Sequence, residues 1–194
     1  MPADDLKGLI AWLKANPDTA SAGIPGIGSS VQLSGILFQN MTGTRFAHVP
    51  YRGGSPAMQD LVAGQIDMMI AADVTTSVPQ VRAGTIKAYA VAARKRLAIA
   101  PDVPTTDEAG LPGFYSAPWY AFWVPSGTPK PVVAKLNAAV VDALADSGVR
   151  ARLAELGQET FPSDLETPAA LGAFHKAEIE KWWPIIKAAG IKGE

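Results

Sequence analysis

Cysteine is absent from the 194 residues. This excludes disulfides, zinc–thiolate sites, iron–sulfur clusters and cysteine nucleophiles. Histidine occurs twice, as His48 and His175, far apart and without HExxH spacing, so no histidine-rich metal site is expected. Neither sign of charge dominates: 17 Lys and Arg against 18 Asp and Glu leave a formal net charge of −1. No strong field therefore points to nucleic acid or an anionic membrane. The longest basic cluster is Arg94-Lys95-Arg96, and no basic–aromatic pattern suggests an RNA-binding sheet. No apolar run reaches membrane-spanning length. The opening MPADDLKGLIAWLKANP has no basic region leading into an apolar run and no cleavage site. It reads as an amphipathic helix with Leu6, Ile10 and Leu13 on one face.

What is present is an apolar content of 48% with 18 glycines and 16 prolines, a globular composition. Residues 4–15 are predicted helical, stopped by Asn16-Pro17. A strand is expected near Thr19 to Ala22, then the loop SAGIPGIGSS, then a helix from about Ser29 to Thr42. Ser29 or Ser30 suits its N-cap and Gly43 its end. Phe46 to Val49 reads as a strand and PYRGGSP as a loop, with Ser55 as N-cap and Pro56 at the first position of a helix over 56–63. Ile66 to Ala71 and residues 86–92 read as further strands, with a short helix between them ending at Gly84. Strand, small-residue loop and helix recur three times, which argues for a mostly parallel sheet with helices on its faces. Beyond a Pro/Gly-rich stretch, strands are predicted at 119–124 and 159–161. Helices are predicted at about 130–146, 148–156 and 168–189, the last kinked at Pro184.

In an open α/β sheet, ligands bind beyond the carboxyl ends of the strands. Three loops occupy that position, 22–30, 50–55 and 73–77, and each leads into a helix N-terminus, which favours anions. They are rich in small polar residues, and Arg52 is their one cation. Its forked guanidinium suits a carboxylate. The same glycines and hydroxyls also serve turns and helix caps where nothing binds. Gly23 to Ser30 falls one residue short of a phosphate loop: Ser29 stands where the lysine belongs, so nucleotide hydrolysis is not expected. No G-x-S-x-G elbow occurs, and Asp67 and Asp73 cannot be argued into an acid–base pair from sequence.

SAGIPGIGSSVQLSGILF, HVPYRGGSPAMQDLVAGQIDMMIAADVTTSVPQVRAGTIKAYAVA and PDVPTTDEAGLPGF resemble the substrate-binding proteins of tripartite tricarboxylate transporters, the Bug family. WYAFWVPSGTPKPVVAKLNA and EIEKWWPIIKAAGIK resemble that family's C-terminal section. The resemblance implies a periplasmic-binding-protein-like (type II) α/β lobe over 1–113, with a mostly parallel sheet. It implies the C-terminal half of a second α/β lobe over 114–194. It further implies a periplasmic location, no enzymatic activity, no cofactor, a small organic carboxylate as ligand and membrane permease subunits as partners. The family's second-lobe loops map onto Ser21, Gly23, Gly28, Ser29, Ser30, Tyr51, Arg52, Gly53, Asp73, Thr75 and Thr76. Two departures leave the ligand open: the loop IPGIGSSVQ is longer than the usual form, and Gln32 stands where a histidine is common.

The chain begins where the family's second lobe begins, so a fragment, or a homo-oligomer whose chains complete each other, is expected. Trp119, Phe122, Trp182 or Trp183 should then lack packing partners. An α/β enzyme acting on a small carboxylate and a non-binding remnant are the rival readings.

Overall fold

A computed structural model describes residues 1–191; the last three residues of the expected second lobe, 114–194, lie outside the described residues. Two compact units are present, Met1–Pro118 together with the residues from Pro184 on, and Trp119–Trp183.

In the first unit, helix α1 (Leu6–Ala15) starts at Asp5, whose carboxylate accepts from the Gly8 amide at 2.7 Å. It ends where Asn16 folds back on the Trp12 carbonyl and Pro17 cannot continue the ladder. Its buried stripe is Leu6, Leu9 and Leu13, with Ile10 half-buried rather than central to the stripe. Strand β1 (Ser21–Ile24) pairs in parallel with β2 (Ala47–Pro50), Ser21 opposite Ala47 and Ile24 opposite Pro50. Helix α2 (Ser30–Thr42) makes the crossover and stops at Gly43, which takes the left-handed conformation at φ 65°. On the other side of β1, Met68 bridges to Ala22 through Gly23 N–H to Met68 O at 3.0 Å and Met68 N–H to Ser21 O at 3.1 Å. β1 is therefore central, with helices α3 (Gly54–Val62) and α4 (Val74–Arg82) following β2 and the Met68 segment.

The core forms where α1 and α2 cover this sheet. Leu6, Leu9, Leu13, Ala22, Phe38, Phe46, Met68 and Phe114 are buried together, with Phe38 between the rings of Phe46 and Phe114 at 6.2 and 5.7 Å. Gly23 sits under α3, where a Cβ would meet Ile66 Cδ1 at 2.5 Å and Ala57 Cβ at 3.2 Å. That close approach is why β1 carries glycine there.

The sheet is smaller than the sequence pattern predicts. Residues 66–71 contribute only the Met68 bridge, and residues 86–92 only a bridge between Val91 and Thr105. Residues 119–124 and 159–161 form no strand. A strand requires a neighbour to accept and donate its ladder bonds, and apolar character alone does not supply one.

The second unit holds α5 (Lys130–Ala145), α6 (Ser147–Glu155), a 3₁₀ turn at Ser163–Leu165, and most of α7 (Pro168–Ala188). α7 continues through Pro184. None of these helices buries a residue. Trp119 and Phe161 stand edge-on to Phe174 at 5.1 and 5.5 Å. Phe122 and Trp183 are exposed, while Trp119 and Trp182 are half-buried.

Candidate functional site

Because β1, β2 and the Met68 segment run parallel, their carboxyl ends share one edge of the sheet. The three loops expected to bind leave from that edge, at 25–29, 51–53 and 71–73. Ala71, in the third, takes a left-handed φ of 53°, uncommon for a residue with a Cβ.

The helix starts behind the loops are capped differently. At α2, Ser29 Oγ accepts from the Gln32 amide at 3.3 Å, and Gln32 Oε1 reaches back to the Gly28 amide at 2.7 Å. This is a variant of the capping box, shifted one residue upstream. It holds Gly28, at φ 77°, in a turn that glycine adopts without strain. At α4, the Asp73 carboxylate accepts from the Thr75 amide at 2.8 Å and the Thr75 hydroxyl at 2.5 Å, and Thr76 Oγ1 donates to the Asp73 carbonyl at 3.0 Å. The position that an anion would take at α4 is thus filled by the protein's own carboxylate.

α3 has no such cap. Gly53, at φ 118°, occupies its N-cap position and offers no side chain. The amides of Gly53, Gly54 and Ser55 donate to no acceptor among the described residues, and Pro56 has no N–H. Arg52, exposed and immediately upstream, makes no hydrogen bond or ion pair among the described residues. Beside it, the Tyr51 hydroxyl donates to Asp60 Oδ2 at 2.7 Å. The Asp60 carboxylate, through that bond, and partial desolvation raise the phenol above its ordinary value. A groove of about 300 Å³ between α3 and α4 is lined by Ser55, Gln59, Thr75, Thr76 and Gln80, with Met58 and Pro79 as its apolar wall.

The predicted site residues therefore separate. Gly28, Ser29 and Ser30, Tyr51, Arg52 and Gly53, and Asp73, Thr75 and Thr76 lie along the common edge. Ser21 does not: it opens β1 at the amino end, about 10 Å from the loops at strand rise. There its amide and hydroxyl both donate to Asp67 Oδ2 at 2.8 Å. Gly23 lies within β1 and serves the approach of α3. Gln32, Gly54 and Asp60 shape the edge or its flanks, and Asp67 the amino end of β1, without having been singled out as site residues. For Gln32 a signal exists, the Ser-x-x-Gln spacing from Ser29. Among the described residues no group of histidine and acidic side chains could hold a metal ion.

The arrangement is that of a periplasmic-binding-protein-like α/β lobe, a small parallel sheet with loops and helix starts gathered at its carboxyl edge. The model of the tripartite tricarboxylate transporter family receptor matches residues 1–191, and the chain belongs to that family. A UPF0065 protein of Agrobacterium vitis is 43% identical over 183 residues, covering 94% of this chain and 52% of that one. A Rhodopseudomonas palustris protein solved with adipate is 32% identical with a TM-score of 0.83, over 98% of this chain and 62% of its own. MatC of the same organism, solved with bound malate, is 38% identical with a TM-score of 0.82, over 95% of this chain and 63% of its own. The chain thus spans about half the length of the curated relative and under two thirds of the solved ones. It corresponds to their C-terminal portion.

Proposed function

We propose that this chain is the ligand-contacting portion of an extracytoplasmic receptor for a small organic carboxylate, handing it to permease subunits without chemical change. The carboxylate is a di- or tricarboxylate, an acidic amino acid or an aromatic acid. Residues 1–113 form the ligand lobe in this reading, and 114–194 the returning half of the other lobe. The periplasm is the location that family membership suggests.

The observation that carries the reading is the start of α3. It alone among the three helix starts at this edge lacks a side-chain cap, and among the described residues it combines free amides at Gly53, Gly54 and Ser55 with an unpaired Arg52. A carboxylate placed there would accept from oriented amides and a guanidinium, balancing its charge with the helix dipole. The uncharged Ser29 and Ser30 at α2 add hydroxyl donors. Asp73 at α4 sets a limit, since its charge repels a second carboxylate brought close to it. An enzymatic reading has less support, because Tyr51 is held by Asp60 and Asp73 by Thr75, which leaves neither poised to move a substrate proton. A thermal-shift screen of organic acids, followed by calorimetry on Arg52→Ala, tests the reading. Affinity should fall by ~1–3 kcal/mol, and unchanged affinity would remove Arg52 from the site.

A further inference from the structure

The end of α7 stops at a defined point. Gly190 takes a left-handed φ of 64° and its amide donates to Lys187 O at 3.2 Å, while the Ile191 amide reaches back to Ile186 O at 3.2 Å. This is a Schellman ending, in which the residue after the glycine folds onto the last turn and an apolar contact with the residue that accepts its bond commonly follows. Both of those positions are isoleucine, Ile186 and Ile191, and both are half-buried. The residues from Pro184 on belong to the first unit, the same compact body that carries the sheet edge.

Within that unit the ending reaches loop 25–29. A Cβ placed at Gly28 would stand 3.7 Å from Ile191 Cγ2, an ordinary van der Waals contact, and Ile191 is its one such neighbour among the described residues. The loop has little else to hold it from outside. Gly26 and Gly28 take positive φ of 149° and 77°, a freedom that makes the loop costly to order. Ile27 is 75% exposed, so its side chain does not fasten the loop to the core. Among the described residues, the hydrogen bonds of residues 25–29 all end within 26–33. They shape the turn without tying it to a distant element.

We propose that the end of α7 props the first loop of the candidate site and that Ile191 is a positioning residue there. Its Cγ2 methyl backs the Gly28 turn. That turn in turn sets the Ser29 cap and presents the hydroxyls of Ser29 and Ser30 along the edge. Ile191 acts through the loop and needs no contact with a ligand. The prop is a property of the ligand-free chain; its consequence for ligand capture rests on the carboxylate reading above.

The test compares the full chain with Ile191→Ala, which deletes Cγ2, and Ile191→Val, which keeps it. Neither changes the glycine that ends α7. The first arm reads amide solvent exchange residue by residue without ligand. In Ile191→Ala the Gly28 amide, held by Gln32 Oε1, should exchange at least about threefold faster once the methyl contact is lost. Ile191→Val should restore the rate. The Thr75 amide, held by Asp73, should keep its rate in all three proteins, which separates loss of a prop from general loosening. The second arm titrates malate by calorimetry: affinity should fall at least about twofold in Ile191→Ala and return in Ile191→Val. A Gly28 amide that exchanges equally in all three proteins overturns the proposal. So does faster exchange that Ile191→Val fails to restore, or a malate affinity that Ile191→Ala leaves unchanged. An unmodified chain that does not bind malate counts against the carboxylate reading alone, and the exchange arm still decides the prop.

Discussion

Gly35 lies on the face of α2 that packs against β2, and His48 fills the space a side chain would need. A Cβ at Gly35 would collide with His48 Nε2 and touch Cδ2 and Cε1 at 3.3 and 3.4 Å. The ring is poorly placed to yield, since Phe46 stands edge-on to it at 5.3 Å and Nε2 is buried without a hydrogen-bond partner among the described residues. Two effects oppose in Gly35→Ala. Alanine gains ~1 kcal/mol over glycine inside a helix. Overpacking costs ~1–3 kcal/mol, and contact with three ring atoms argues for the upper half of that range. The net expectation is a loss of about 1–2 kcal/mol. In a His48→Ala background the obstacle is gone, and the same substitution should stabilise by ~0.5–1 kcal/mol. Urea unfolding of the four proteins at mildly alkaline pH, compared at constant slope, reads the sign change directly. A Gly35→Ala variant that is more stable in the unmodified chain, or that costs the same in both backgrounds, would refute the reasoning.

Burial holds the His48 imidazole below its ordinary value of 6.5. Below that value the unfolded chain binds the extra proton first, so stability present above about 6.5 should decline as pH falls toward the folded value. Denaturation midpoints across this window should show the decline, and His48→Gln should flatten it. Asp73→Ala removes an N-cap and should cost about 1 kcal/mol by the same assay. Asp73→Asn keeps a capping oxygen without the charge, so its stability should stay within ~0.5 kcal/mol, while calorimetry should show tighter binding of dicarboxylates.

The helices were legible because their signals are local. Asn16-Pro17 stops α1, Ser29 caps α2, and Gly43 ends it in the left-handed conformation. The start of α3 falls at Gly53 and Gly54 rather than at Ser55 and Pro56, since a glycine without a capping side chain gives little sequence signal. The strands were less legible. IDMMIA and WYAFWV have strand composition, but a ladder depends on a partner elsewhere in the chain, and none is paired along the length of either. At the site, the edge with Arg52 and its neighbouring loops could be placed from strand–loop–helix alternation. Ser21 could not, because Asp67, its partner, lies 46 residues away. That Asp73 caps its own helix while α3 starts without a side-chain cap depends on side-chain geometry that residue type does not fix.

The central claim, that a carboxylate is held at the start of α3, is tested most directly by titrating malate into the isotopically labelled chain and following backbone amide resonances. The account predicts saturable shifts at Gly53, Gly54 and Ser55, lost in Arg52→Ala, with the Thr75 amide unmoved because Asp73 holds it. Shifts centred on Thr75 with Gly53 to Ser55 unmoved, or no shift anywhere at millimolar malate, would contradict it.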